Sequence, residues 1–91
     1  MADLIDNTQL HRFEREEDGD TAFATYRLQP GVVALTHFET PVRARGKGLA
    51  GRLMEAIVAD ARARGLKIAP VCSYAVDWMA KHPDVAAEIE A

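Results

Sequence analysis

A short basic segment has the residue types and spacing of an anion site: Arg43-Ala44-Arg45-Gly46-Lys47-Gly48. Its glycines let backbone amides approach a ligand's oxygens, and its basic side chains supply the opposite charge. A helix that starts at Gly48 or Leu49 would add unpaired N–H groups and the positive end of its dipole. The segment therefore predicts a phosphate or pyrophosphate site, and the alternative is an ordinary strand-to-helix connection.

Two better-known glycine motifs fit this segment poorly. Gly46, Gly48 and Gly51 have the spacing of a dinucleotide fingerprint, but Lys67 and Ile68 stand where its acidic residue is expected. A chain of 91 residues is also too short for a Rossmann domain. The Gly-Lys-Ser/Thr ending of a P-loop is absent.

The elements that position the basic segment follow from changes in hydrophobic period. Alternation and an Asp-Gly turn predict an antiparallel meander that ends in a central strand, Val32 to Glu39, with Val33, Leu35, His37 and Glu39 on one face. Apolar residues at helical spacing predict a helix from residue 48 or 49 to Gly65, and a buried strand follows it. Strand, helix and strand form a right-handed βαβ unit. The further elements are expected at Leu10 to Glu16, Thr21 to Leu28, Leu66 to Val71, a Ser73-capped helix Tyr74 to Lys81, and a last short helix after Pro83.

Length, composition and charge limit the class of protein. With 91 residues, of which 48% are hydrophobic and 27% charged, the chain is expected to form one domain, residues 1–91. The net charge of −3 argues against nucleic-acid binding, and four of the eleven basic residues lie between positions 43 and 52. The acidic run from Glu14 to Asp20 is typical of a solvated hairpin, and the alternative is that it attracts a polyamine or a lysine-rich partner.

The cysteine count and the hydrophobic pattern of the chain predict its cellular compartment. One cysteine excludes an internal disulfide and suits a reducing compartment. No apolar run approaches the roughly 18 residues of a membrane span, and the first six residues lack a signal-sequence layout. We therefore expect a cytoplasmic protein without a membrane partner, as a monomer or weak homodimer.

The basic segment resembles the motif of the GNAT superfamily of acetyl-CoA-dependent N-acetyltransferases: arginine or glutamine, two residues, glycine, one residue, then glycine or alanine. His37 to Pro41, the helix that follows, Val71 to Tyr74 and Lys81 to Pro83 are similar to the small single-domain GNAT-like group, over about residues 10–84. The resemblance implies an α/β (α+β) domain with a minimal acyl-CoA N-acyltransferase fold: an antiparallel β-meander, a βαβ unit and a C-terminal helix.

The resemblance also implies a function and a set of site residues. Acetyl-CoA would be the cosubstrate, its pyrophosphate held by the amides of residues 43–48 and its pantetheine arm paired with the backbone around residues 40–42. An acetyl group would pass to an amine acceptor that the sequence does not identify. A CoA-binding or protein-interaction module without transferase activity is the alternative, and an incidental anion site a third. The expected cofactor residues are Thr40, Pro41, Val42, Arg43, Ala44, Arg45, Gly46, Lys47, Gly48 and Leu49.

Three side chains are candidates for catalysis. Cys72 could take the acetyl group as a nucleophile, although a small buried hydrophobe is the alternative. Tyr74 could protonate the departing thiolate, or could only pack. Glu39 could deprotonate the amine, as could His37, for which a structural hydrogen bond is the alternative. Two such ligands do not make a metal site, so none is expected.

Overall fold

From Arg12 onward, the strands and α-helices follow the predicted order. The computed structural model describes residues 4–91, so Met1 to Asp3, on which the expectation about a signal sequence partly depends, lie outside the described residues. Among the described residues, five strands form one sheet in the order β1-β2-β3-β4-β5. The elements are β1 (Ile5–Asn7), β2 (Arg12–Glu17), β3 (Asp20–Gln29), β4 (Val32–Glu39), a short 3₁₀ helix (Val42–Ala44), α1 (Leu49–Arg64), β5 (Lys67–Pro70), α2 (Ser73–Lys81) and α3 (Pro83–Ile89).

The sheet confirms the meander and the βαβ unit. Strands β1 to β4 pair antiparallel, whereas β4 and β5 pair parallel, with α1 as the connection between them. The parallel pairing ends where Leu35 lies opposite Pro70. Beyond this point β4 continues to Glu39, while the chain leaves β5 and starts α2. Strands β4 and β5 therefore separate at one end of the sheet.

A β-bulge in β4 corrects the predicted alternation. Tyr26 pairs with Leu35 but Thr25 pairs with His37, so Thr36 is an extra residue on β4. The prediction that His37 and Glu39 share a face with Leu35 is therefore wrong. Phe38 packs against the core instead. The period-two rule fails here because one inserted residue moves every later side chain to the other face.

The helices begin and end close to the predicted positions, with one difference. Helix α1 lies between Gly48 and Gly65, as expected, and both glycines have left-handed backbone conformations. Helix α2 begins at Ser73, however, and its cap is Cys72, whose Sγ accepts a hydrogen bond from the Ala75 amide at 3.4 Å. The prediction that Ser73 is the cap is therefore wrong. Capping preferences favour a hydroxyl over a thiol, and they do not fix the first residue of a helix to within one position.

Both helices α1 and α2 bury side chains in one hydrophobic cluster against the sheet. Leu53, Met54 and Ile57 of α1 are fully buried there, and Trp78 of α2 joins them. This packing fixes the N-termini of both helices beside the separated end of β4. None of the helices formed by residues 4–91 is both long and apolar enough to cross a membrane.

Candidate functional site

A cleft of about 680 Å³ opens where β4 and β5 separate. Its volume lies within the range of small-molecule sites. One wall is the end of β4. The other is formed by the turn of residues 45–48, called the glycine turn below, and the first turn of α1. The residues that line it are His37, Phe38, Glu39, Thr40, Ala44, Arg45, Gly46, Gly48, Leu49, Ala50, Gly51 and Tyr74.

Two glycines of the turn have left-handed backbone conformations. Gly46 and Gly48 have φ angles of +80° and +83°, which side chains rarely adopt. A Cβ on Gly46 would meet no heavy atom within 4 Å, so the cleft beside it is open to a ligand. The amides of residues 46–48 donate no backbone hydrogen bond to another described residue. The first turn of α1 contains no acidic residue, so its dipole and its amides can act on an anion in the cleft.

The four basic residues of this region divide into two kinds. Arg43 pairs with Asp20, and Arg52 pairs with Glu17 at 2.7 Å, so both are held by the β2–β3 hairpin. Arg45 donates to the Thr40 carbonyl at 3.2 Å and makes only a long ion pair, at 3.8 Å, with the Glu39 carboxylate. Lys47 forms no ion pair with any described residue. We therefore expect Arg45 and Lys47 to be the side chains available to a ligand's phosphates.

Glu39 and His37 face the cleft as a hydrogen-bonded pair. The Nε2 atom of His37 lies 2.8 Å from Oε2 of Glu39, and both side chains are about half exposed. The bulge at Thr36 places them on the side of the sheet opposite the core, next to the partly buried Phe23. An amine that enters from solvent can therefore reach either group, and the pair can exchange a proton.

Tyr74 closes the opposite side of the cleft. Its ring packs on Phe38, with ring centroids 4.7 Å apart, and its hydroxyl lies 3.9 Å from a Cβ built on Gly51. Burial raises the pKa of Tyr74, and the charges of Asp77 and Glu55 raise it further. The phenol therefore stays protonated at neutral pH and can donate a hydrogen bond.

Cys72 lies two residues from Tyr74 but does not line the cleft. Its side chain is half buried, packs against the core and caps α2. Its amide and that of Val71 both donate to the Leu35 carbonyl, at 3.2 and 3.1 Å. The structure thus brings Glu39 and Tyr74 to the cleft and gives Cys72 a structural part beside it.

The cofactor residues expected from the sequence also divide. Those that line the cleft are Thr40, Ala44, Arg45, Gly46, Gly48 and Leu49, and those that do not are Pro41, Val42, Arg43 and Lys47. Phe38 and Ala50 line it but were not expected, because the bulge that turns Phe38 inward has no clear signal in the sequence. Gly51 is part of the dinucleotide spacing, which fits the sequence poorly. Its position beside Tyr74, whose hydroxyl lies 3.9 Å from a Cβ built on Gly51, depends on how distant parts of the chain pack together.

Comparison with known proteins agrees with this geometry. A family model described as GCN5-related N-acetyl-transferase matches residues 12–89, which include everything from β2 to α3. None of the curated proteins compared with the chain matches it. Because the family model covers most of its length, the chain belongs to the GCN5-related N-acetyltransferase family.

Proposed function

We propose that this protein binds acetyl-CoA in the cleft and transfers the acetyl group to an amine. Membership of the family suggests an acetyltransferase. The observation that carries the proposal is the junction of the open cleft with the turn at Gly46 and Gly48, because pyrophosphate needs amides, positive charge and room without side chains at one place.

The rest of the cleft fits the other parts of the cosubstrate. Strand β4 has no β5 partner beyond Leu35, so backbone groups of residues 36–39 on that edge are open to the amides of an extended pantetheine arm. Arg45 lines the cleft near this edge and Lys47 lies in the same turn, where they complement the phosphates. The thioester would then lie toward Glu39 and Tyr74.

In the proposed reaction the amine nitrogen attacks the thioester carbonyl carbon. A C–N bond forms as the C–S bond breaks, and the sulfur leaves with the electron pair. Glu39, directly or through His37, accepts the proton that the amine loses, and Tyr74 supplies a proton or hydrogen bond to the departing thiolate. The products are an acetylated amine and CoA.

A covalent route through Cys72 has weaker support. It would require Sγ to leave the Ala75 amide and turn toward a cleft that it does not line. Direct attack uses groups already at the cleft, so it is the route we propose.

Release of free CoA, measured by a thiol reagent, tests the proposal. The wild-type protein is incubated with acetyl-CoA and a panel of primary amines, and we expect CoA release only when an amine is present. Glu39→Gln should lower kcat by about a hundredfold, the usual size of a lost general base, with little change in CoA affinity. Glu88→Gln, an exposed carboxylate away from the cleft, is the matched control.

Three outcomes would contradict the proposal in different ways. Calorimetry that detects no CoA binding at millimolar concentration would overturn it completely. Binding without turnover by any amine would leave a CoA-binding module. Equal turnover by Glu39→Gln and the wild type would leave a transferase in which Glu39 is not the general base.

A further inference from the structure

The acidic β2–β3 hairpin reaches the glycine turn through two ion pairs. Asp20 accepts a hydrogen bond from Arg43, which lies just before the turn. Glu17 accepts from Arg52, which lies in the first turn of α1 just after it. The hairpin therefore contacts the residues on both sides of the glycines, and its acidic character has a structural purpose beyond solvation.

Arg52 connects the hairpin to the backbone of the turn itself. Its Nε and one terminal nitrogen contact the Glu17 carboxylate at 2.7–3.0 Å, in the forked geometry that suits guanidinium and carboxylate. The same terminal nitrogen donates to the Lys47 carbonyl at 2.9 Å. Arg15 also donates to Glu17, at 2.8 Å, so the carboxylate is held from two sides.

The contact with Lys47 determines where the next amide points. Carbonyl and N–H are antiparallel in a trans peptide, and the described chain has no cis peptide. Because Arg52 holds the Lys47 carbonyl, the Gly48 N–H is directed away from the guanidinium. Gly48 lines the cleft, and its amide donates no backbone hydrogen bond.

We propose that Glu17 and Arg52 are positioning residues for the pyrophosphate site. By holding the Lys47 carbonyl on the hairpin side, they keep the Gly48 amide directed at the phosphate. This inference rests on the proposed binding of CoA and adds two residues that contact none of its atoms.

The Glu17 carboxylate is charged at the pH of a binding assay. Hydrogen bonds from Arg52 and Arg15 lower the pKa of Glu17 to about 2, so its carboxylate is charged above that pH. A second arginine–glutamate pair, Arg62 with Glu88, links α1 to α3 far from the cleft, and its glutamate is more exposed than Glu17. Partly exposed pairs add little to stability, so a specific effect on binding can be separated from a general effect on folding.

Glu17→Gln gives a decisive test, because electrostatics alone predicts the opposite sign. Removal of a negative charge near an anion site should strengthen CoA binding by Coulomb's law. Loss of positioning should weaken it, by about tenfold or about 1.4 kcal/mol. We expect the weakening by calorimetry, with a matching rise in KM for acetyl-CoA and kcat within about twofold. Glu17→Asp, which keeps the charge but shortens the reach to Arg52, should behave like Glu17→Gln.

Pantetheine and a double variant complete the experiment. Pantetheine lacks the pyrophosphate, so its affinity should be unchanged in Glu17→Gln. The variant with both Glu17→Gln and Arg52→Gln should bind CoA no more weakly than Arg52→Gln alone, because Glu17 acts through Arg52. Glu88→Gln serves as the control and should bind CoA like the wild type.

The results separate the two proposals. If wild-type protein does not bind CoA, the proposed function fails. If the wild type binds CoA, either of two results overturns the positioning role. One is that Glu17→Gln binds CoA as tightly as the wild type or more tightly, and the other is that its affinity for pantetheine falls by the same factor as its affinity for CoA.

Discussion

Gly46→Ala should weaken CoA binding far more than its effect on stability would suggest. Gly46 has a φ angle of +80°, and the left-handed region costs a residue with a Cβ about 1–2 kcal/mol. Gly65, at the far end of α1, offers a matched control. Its φ angle is +68°, and a Cβ there also meets no heavy atom within 4 Å.

The two substitutions should therefore cost the same stability. Each should lower the melting temperature by about 4–8 °C for every kcal/mol lost, the usual response of a domain of this size. Only at Gly46 does the added methyl group enter the cleft and disturb amides that face a ligand. We expect CoA affinity to fall at least about tenfold in Gly46→Ala, since one charge-assisted hydrogen bond or more would be lost. Gly65→Ala should bind like the wild type.

Thermal unfolding and calorimetry with CoA, on the same preparations, provide the assay. Equal losses of stability with a selective loss of binding at Gly46 would support an anion site in the turn. Equal binding by the two variants, at equal stability, would refute the reasoning that places the pyrophosphate there.

Three further predictions concern other parts of the molecule. Cys72→Ser should keep the α2 cap and retain turnover, whereas Cys72→Ala should lose the cap and about 1 kcal/mol of stability. The direct mechanism would be contradicted if mass spectrometry found an acetyl adduct on Cys72 and Cys72→Ser were inactive. Burial and a hydrogen bond to Asp6 raise the pKa of Tyr26 to about 12, above its unfolded value of 10.0, so the stability linked to this group is present below pH 10 and is lost as the pH rises toward 12. Denaturant titrations should show a smaller loss across that range in Tyr26→Phe, and identical pH profiles would exclude the linkage. Leu53→Ala should lower the free energy of unfolding by about 2–5 kcal/mol in chemical denaturation, because Leu53 is fully buried and the smaller side chain leaves a cavity. A loss below about 1 kcal/mol would show that the core collapses around the gap and would contradict this expectation.

Local features of the sequence were sufficient for most of the fold. Hydrophobic period distinguished strands from helix α1, and Gly48 and Gly65 marked its limits because few other residues adopt a positive φ. The Asp-Gly turn joined β2 to β3, and the helix between two apolar strands required a parallel pair. The anion site that we propose at residues 43–48 also follows from local properties, since it depends on glycines, basic residues and a helix start that are adjacent in the chain.

The tertiary structure decided which side chains line the cleft, because their positions depend on contacts between residues that are distant in the chain. The bulge at Thr36 turns Phe38 inward and His37 outward, and nothing local in β4 indicates it. The packing of α2 brings Tyr74 to the cleft and leaves Cys72 as a cap. The contact of Glu17 with Arg52 spans 35 positions and changes an acidic run from a solvated surface into a support for the turn. The sequence determined which residues could bind an anion, and the fold determined which of them line the cleft.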